Sequence, residues 1–289
     1  MRSSEEVVPV LPSSLLEPVW NQFATLLPER PAFNPSHPLG CHRQRIPDRL
    51  VFEHVVAALV HGSGYERLAT PGCSDRTIRR RVKAWAAAGL TEVLHTLALQ
   101  QYDRMIGIEF EDVAADGCIT KAPSGGEKAG RSPVDRGKQG LKRSTVTDAS
   151  GVPLHVVSAG ANCPDSPLLH PSLAGLSKLR PLPEDITVHL DRAYDSAKTH
   201  ALLDTLGFTG EIARKGVPAP LQAGKRWVVE RTQAWMNGYG KLRRCTEREG
   251  RVVDFYLFLA ATFVVVRTLI QRARTRYRWP GRPTTRRLK

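Results

Sequence analysis

Two short apolar runs, each closed by an aspartate, constrain the fold of this chain more than any other feature of its sequence. Residues 108–116 read IEFEDVAAD and end on Asp116, and residues 186–191 read ITVHLD and end on Asp191. Runs of this length that are bounded by turn residues predict β-strands. Segments with helical spacing follow each of them, so the sequence predicts an α/β fold in which helices cover a mixed sheet.

The segment between the two aspartates predicts how the sheet begins. Residues 144–157 read STVTDASGVPLHVV, which is typical of two strands joined by a turn at 149–151. Together with the strand that ends at Asp116, they predict three consecutive strands in an antiparallel meander. The rest of the fold is predicted as helix 166–179, the strand that ends at Asp191, helix 194–206, a short strand 208–213, helix 227–244 and a core helix over about 252–272.

A third acid, Glu230, lies near the start of the predicted helix 227–244. Two aspartates at strand ends and one glutamate on a helix can converge in space, and carboxylate oxygens are the ligands that Mg²⁺ prefers. Two such ions can clamp the attacking and leaving oxygens of a phosphodiester. The sequence therefore predicts a site of two Mg²⁺ ions, for which Mn²⁺ can substitute, held by Asp116, Asp191 and Glu230. The alternative for Glu230 is an acid that stabilises the helix N-terminus.

The overall charge favours a polyanionic partner. The 289 residues carry a formal net charge of +14 and a sequence pI near 10.0. A charge this high favours nucleic acid as the binding partner, and a ribosomal or membrane surface is the alternative. Five scattered cysteines without zinc spacing suit a reducing compartment. The first residues have acids where a signal peptide needs an apolar core, so we expect a cytoplasmic protein. The longest apolar stretch, 255–266, is too short to cross a bilayer and is predicted to be a buried helix.

The N-terminal part has the order of a helix-turn-helix module. A short helical piece at 65–69 precedes Ser74, a predicted N-cap, and a helix whose buried stripe is Ile78, Val82 and Trp85. The cations off that stripe are predicted to contact DNA: Arg76, Arg79, Arg80 and Lys83. An ordinary surface helix with solvated arginines is the alternative.

Further cations are predicted to hold DNA phosphate near the acids. Lys138 and Lys142 lie in the glycine-rich segment 121–143, whose length favours a functional loop. Arg226 and Lys241 fall on the same flank of the helix 227–244 as Glu230. We divide the chain into a proline-rich arm (1–40), a helical DNA-binding domain (41–105), a catalytic domain (106–272) and a basic tail (273–289).

Several segments of the chain resemble bacterial transposases of the insertion-sequence-five group, within the insertion-sequence-four type of DDE transposases. The resemblance covers about residues 110–265, and the N-terminal helices share it less distinctly. It is carried by Asp116-Gly117, SGGE at 124–127, SPVDRGK at 132–138, DASGVPL at 148–154, GAN at 160–162, LDRAYD at 190–195 and RWVVERTQAWMN at 226–237.

The resemblance implies a ribonuclease H-like core, with Asp116, Asp191 and Glu230 as the metal-binding triad. Arg226 matches the arginine that the family places four residues before its glutamate. The chain departs from related transposases at two positions of this helix region. Ala223 stands where a tyrosine is usual, and Asn237 stands where a lysine is frequent, with Lys241 one turn further as the candidate substitute.

The function expected from these features is that of a DNA transposase, nucleoid-associated and bacterial. It would bind the terminal inverted repeats of its own element and cleave and transfer strands, as a homodimer on double-stranded DNA. The alternatives are a metal-dependent DNA nuclease without strand transfer, a catalytically impaired DNA-binding remnant, and a protein whose charge serves RNA.

Overall fold

A computed structural model of the chain describes residues 10–30, 33–34, 36, 44–179, 181–213 and 225–278. The expectations for Ala223, for residues 1–9 of the N-terminal arm and for residues 279–289 of the basic tail lie outside these ranges. The helices in the described ranges are α1 Ser13–Thr25, α2 Asp48–His61, α3 Tyr65–Leu68, α4 Asp75–Ala87, α5 Leu90–Met105, α6 Ser166–Ala174, α7 Ala197–Leu206, α8 Trp227–Asn237, α9 Gly240–Arg243 and α10 Gly250–Arg276.

One mixed sheet forms the centre of the described structure. Its strands are β1 Asp112–Lys121, β2 Gly130–Arg131, β3 Gln139–Asp148, β4 Pro153–Gly160, β5 Thr187–Leu190 and β6 Thr209–Ile212. β1, β3 and β4 pair antiparallel in chain order, and β5 and β6 then add parallel strands on the other side of β1. The predicted meander, the mixed sheet of a ribonuclease H-like core and the N-terminal helical part are confirmed.

The position of Asp116 within its strand differs from the prediction. β1 does not end at Asp116 but continues to Lys121, because residues 117–121 stay paired with residues 140–144 of β3. β3 likewise begins at Gln139, five residues before the predicted start. The supposed loop 121–143 is therefore shorter, and Lys142 lies within a strand.

The predicted helix 227–244 is broken in two. α8 ends at Asn237, and Tyr239 has extended backbone before α9 begins at Gly240. The break matters because Gly240, Lys241 and Leu242, which follow it, are buried, whereas Glu230 on α8 is exposed.

The N-terminal helices do not have a core of their own. α10 packs against α1, α4 and α5 as well as against α8 and β4. One cluster of buried side chains joins Val19, Phe52 and Trp85 of the N-terminal helices to Phe255 and Phe263 of α10. A second cluster lies between the sheet, α5 and α6. The predicted division at residue 105 stays a prediction.

α10 is the longest helix among the described residues, and it contains a long apolar stretch. Its 27 residues have a window of mean hydropathy 1.9, enough in length and composition to cross a bilayer, and 67% of that window is buried. The helix is longer than the apolar stretch 255–266 that the sequence shows, because it extends beyond that stretch in both directions. The burial of α10 between the helices and the sheet supports the prediction of a core helix.

The contact between α2 and α9 allows a test of the packing between the N-terminal helices and the rest of the fold. A methyl group at Gly240 would lie 2.5 Å from the backbone nitrogen of Gly62 and from the carbonyl carbon of His61. Since backbone cannot rotate away, Gly240→Ala should lower the free energy of unfolding by about 1–3 kcal/mol in urea titrations. The control is Gly72→Ala, where the nearest heavy atom is 4.0 Å away. Equal stability of the two variants would contradict the prediction.

Candidate active site

The register of two parallel strands sets the positions of the two aspartates. The last parallel pair between β1 and β5 is Ala114 with His189. Asp116 and Asp191 each follow two residues after that pair, so both stand where the parallel part of the sheet ends. The carboxyl ends of parallel strands are the usual place for ligands in α/β sheets.

The two aspartates are held by short local hydrogen bonds. Asp116 Oδ1 accepts from the backbone nitrogen of Gly117 at 2.7 Å. Asp191 Oδ1 accepts from the backbone nitrogen of Ala193 at 2.8 Å and so caps a single 3₁₀ turn at Arg192–Tyr194.

Three hydrogen bonds fix α8, and with it Glu230, against the sheet. Gln233 Nε2 donates to the main-chain oxygen of Asp116 at 3.0 Å. The Thr232 hydroxyl donates to the Gly151 carbonyl at 2.5 Å, and Arg231 donates to the Ser150 carbonyl at 2.7 Å. Glu230 lies in the first turn of α8 with its side chain exposed. The fold therefore ties the catalytic candidate on the helix to the strand that carries Asp116.

The charges of the predicted acids act on one another. Burial first, and then the charges of Asp191, Glu230 and Asp165, raise the pKa of Asp116 to about 7, while the Gly117 N–H lowers it. A carboxyl with three carboxylates as neighbours is stabilised in its ionised form by a cation. Asp165, which directly precedes α6, packs against Gly117, the residue that follows Asp116.

The donor set of this cluster fits a divalent cation that is shared with a substrate. No three His, Cys, Asp or Glu side chains within the described ranges are placed to hold a metal ion by themselves. Mg²⁺ does not need such a cage, because it is commonly bound by one or two carboxylates together with substrate phosphates and water. The residues present agree with that mode of binding.

Two of the predicted DNA-binding cations are buried, and these two predictions were wrong. Lys142 lies in β3 and donates to Asp165 Oδ2 at 2.9 Å. Lys241, beyond the break after α8, pairs with Glu247 and packs against the rings of Tyr65 and Tyr256. Both cations are already neutralised in the interior, so they do not reach a DNA backbone at the surface.

The remaining predicted cations lie on the surface. Lys138 is exposed just before β3, and Arg226 is half-exposed at the start of α8, one turn before Glu230. Ser74 caps α4 as predicted, accepting from the backbone nitrogen of Thr77 at 3.3 Å. The predicted buried stripe of Ile78, Val82 and Trp85 is confirmed, and the cations Arg76, Arg79, Arg80 and Lys83 are exposed.

The departure at Asn237 is explained by a buried arginine. Arg143 of β3 is 1% exposed and donates to Asn237 Oδ1 at 2.5 Å. A lysine at position 237 would bring a second cation to this guanidinium, whereas an asparagine accepts its hydrogen bond. Sequence reasoning missed Arg143 because it placed residues 121–143 in a loop, where an arginine is expected to face solvent.

The family of the chain follows from comparison with known proteins. Residues 110–264, more than half of the chain, match the transposase DDE domain family. A Burkholderia cepacia protein assigned as the transposase of insertion sequence element IS402 is 35% identical over 151 residues, which is 50% of this chain and 72% of that protein. The chain belongs to the DDE transposase family. Asp116, Asp191 and Glu230 of this transposase all lie within the matched residues.

Solved structures of the Mos1 mariner transposase resemble this transposase only distantly. The Mos1 catalytic domain is 13% identical, with 62% of this chain and 86% of that chain covered and a TM-score of 0.33. The Mos1 paired end complex with Mn is 11% identical, with 91% and 86% covered and a TM-score of 0.35. The fold assignment rests on the strand order of this transposase itself.

The crowding of carboxylates predicts a pH dependence of stability. Since folding raises the pKa of Asp116 from 3.8 to about 7, the folded state holds this proton more tightly than the unfolded chain. The associated stability is present below about pH 4 and is lost as the pH rises to about 7. In EDTA, Asp116→Asn should remove this loss and raise the Tm at pH 8 by about 2–4 °C over the parent chain.

The matched control for this measurement is Asp204→Asn, which removes an exposed carboxylate of α7. The Tm of that variant should follow the parent chain between pH 4 and pH 8. If the Tm of the parent chain and that of Asp116→Asn change with pH in the same way, the raised pKa of Asp116 is contradicted.

Proposed function

We propose that this transposase binds the terminal inverted repeats of its insertion sequence and catalyses strand cleavage followed by strand transfer, with Asp116, Asp191 and Glu230 holding two Mg²⁺ ions. The proposal is supported by the strand register and by the charges of Asp191 and Glu230, both of which raise the pKa of Asp116. Strand register places the two aspartates on one edge of the sheet, and Gln233 ties the helix of Glu230 to Asp116. Mn²⁺ is expected to replace Mg²⁺, since both accept oxygen ligands in octahedral sites.

The residues around the acids supply orientation and charge. Divalent ions, when bound, would activate the attacking hydroxyl and stabilise the leaving oxygen of the phosphodiester. The three hydrogen bonds that fix α8 keep Glu230 at a constant position relative to Asp116. Arg226, one turn before Glu230, is placed to donate to a phosphate that enters the cleft.

The basic surface of α4 supports binding to double-stranded DNA, and its cations are not equivalent. Arg79 forms ion pairs with Glu66 and Asp75, and Lys83 forms an ion pair with Glu249. Arg76 and Arg80 are exposed, without an ion pair to any other residue that the structure describes. We infer that these two arginines contribute most of the phosphate contacts of this surface, and that Lys138, exposed just before β3, supplies a further phosphate contact.

The assembly and location of the transposase follow from the same proposal. Cleavage at two transposon ends and joining to one target requires two active sites, so we propose a homodimer on DNA that acts with the nucleoid in the cytoplasm. Short inverted repeats flanking the coding region, bordered by a small direct duplication, would support this assignment.

Asp191→Asn tests the metal-holding role directly. We expect this variant to lose Mg²⁺-dependent cleavage of a labelled inverted-repeat end, by at least about 10³-fold, because one ion loses a charged ligand. DNA binding in a gel-shift assay should stay within about twofold, since the basic surfaces are unchanged. Asp195→Asn is the control, because that carboxylate lies near His200, with 3.3 Å between oxygen and nitrogen.

Full cleavage activity of Asp191→Asn would remove this residue from the triad. The same assay separates the transposase from a nuclease on the same fold. Joined products between a labelled end and a target plasmid support strand transfer, whereas cleavage alone supports the nuclease.

The double substitution Arg76→Ala with Arg80→Ala tests the DNA-binding surface of α4. Loss of two phosphate contacts should weaken binding and reduce the salt slope of log K by about 2. The matched control is Arg79→Ala with Lys83→Ala, whose cations are already engaged by carboxylates of the same chain. Equal losses in the two variants would show that the intramolecular ion pairs do not select the DNA contacts.

A further inference from the structure

Asp165 occupies a position that a helix cap does not explain. It directly precedes α6, yet its side chain accepts no hydrogen bond from the first turn of that helix. Its Oδ2 accepts instead from Lys142 Nζ at 2.9 Å, across to the middle of β3. The Lys142 side chain is 6% exposed and that of Asp165 is 32% exposed. The ion pair therefore connects the buried part of β3 to the more exposed side chain of Asp165.

Gly117 makes room for this carboxylate. A methyl group at Gly117 would overlap Oδ1 of Asp165, so the carboxylate packs directly on the residue that follows Asp116. Gly117 is not among the described glycines with positive φ. Glycine is therefore needed at this position because Asp165 approaches closely, and not because the backbone adopts an unusual conformation. Asp165 is thus seated against the strand of the catalytic acids.

Oδ1 of Asp165 is buried and has no hydrogen-bond partner among the residues that the structure describes. Tyr194 is 1% exposed. Burial together with the charges of Asp165, Asp116 and Asp191 raises the pKa of Tyr194, while a hydrogen bond with Ser144 lowers it. Buried polar atoms without partners are uncommon in folded proteins, and a bound ion or its water is a usual explanation.

We propose that Asp165 is a fourth acidic residue of the catalytic centre, anchored by Lys142 and adding its negative charge to the site where Asp116 and Asp191 would hold a divalent cation. The inference rests on the proposed function, because it assumes that a cation binds there. Lys142 is a positioning residue in this arrangement. Its charge cancels one acid of the cluster and keeps the carboxylate turned toward Gly117.

Metal binding by the intact chain, without DNA and without turnover, tests this role. Free Mn²⁺ is followed by electron paramagnetic resonance while the purified transposase is titrated. Asp165→Asn should weaken Mn²⁺ binding by about tenfold, the loss typical for groups that support a metal site. Asp195→Asn, which removes a carboxylate only four residues after Asp191, should change it by less than about twofold.

Two further variants keep the test independent of folding defects. Asp165→Asn alone leaves the buried Lys142 without an anion, so Asp165→Asn with Lys142→Met removes both charges and should show the same loss of affinity. Gly117→Ala retains every carboxylate but displaces that of Asp165, and its Mn²⁺ affinity should also fall. Circular dichroism and the Tm in EDTA establish that each variant is folded.

Asp116→Asn separates failure of this inference from failure of the proposed function. If Asp116→Asn loses Mn²⁺ binding while Asp165→Asn and its double variant stay within twofold of the parent chain, Asp165 has no part in the site. If Asp116→Asn itself binds Mn²⁺ normally, the metal site proposed above is overturned together with the role of Asp165.

Discussion

Repulsion between carboxylates at one edge of the sheet is the constraint around which this structure is organised. Asp116 has Asp191, Glu230 and Asp165 as charged neighbours, and burial adds to the cost of ionising it. Such a cluster persists only because the surrounding backbone is held independently of it. The long β1–β3 ladder and the contacts between β5 and β6 provide that support. The site is thus arranged for a cation before one arrives.

The interior cations of the chain show how part of its positive charge is used. Lys142 neutralises Asp165, and Lys241 neutralises Glu247 beneath two tyrosine rings. Arg143 joins β3 to the end of α8 through Asn237. Buried charges are expensive to desolvate and are tolerated where they are paired or hydrogen-bonded. Fewer cations are therefore available to bind DNA at the surface than the formal charge of +14 indicates.

The packing of α10 connects the two helices to which the proposed function assigns DNA binding and metal binding. α10 lies against α4, which carries the exposed arginines, and against α8, which carries Glu230. A single buried cluster connects these elements. DNA held on α4 would consequently be held at a defined distance from the acids. The same packing explains why a helix with enough length and hydropathy to cross a bilayer is found at the centre of the molecule.

The sequence by itself determined the elements of this fold and the residue types of the site. Apolar runs closed by Asp116 and Asp191 predicted the strands, Ser74 predicted the start of α4, and the order of acids with the resemblance predicted the family. These features depend on local spacing, which a single chain displays directly. Only the tertiary structure decided that β1 runs past Asp116, that Lys142 and Lys241 are buried, and that Asp165 joins the acids. Those outcomes depend on strand pairing, on the break after α8 and on the absence of a side chain at Gly117. Each of them brings together residues that are far apart in sequence, so no local pattern records them.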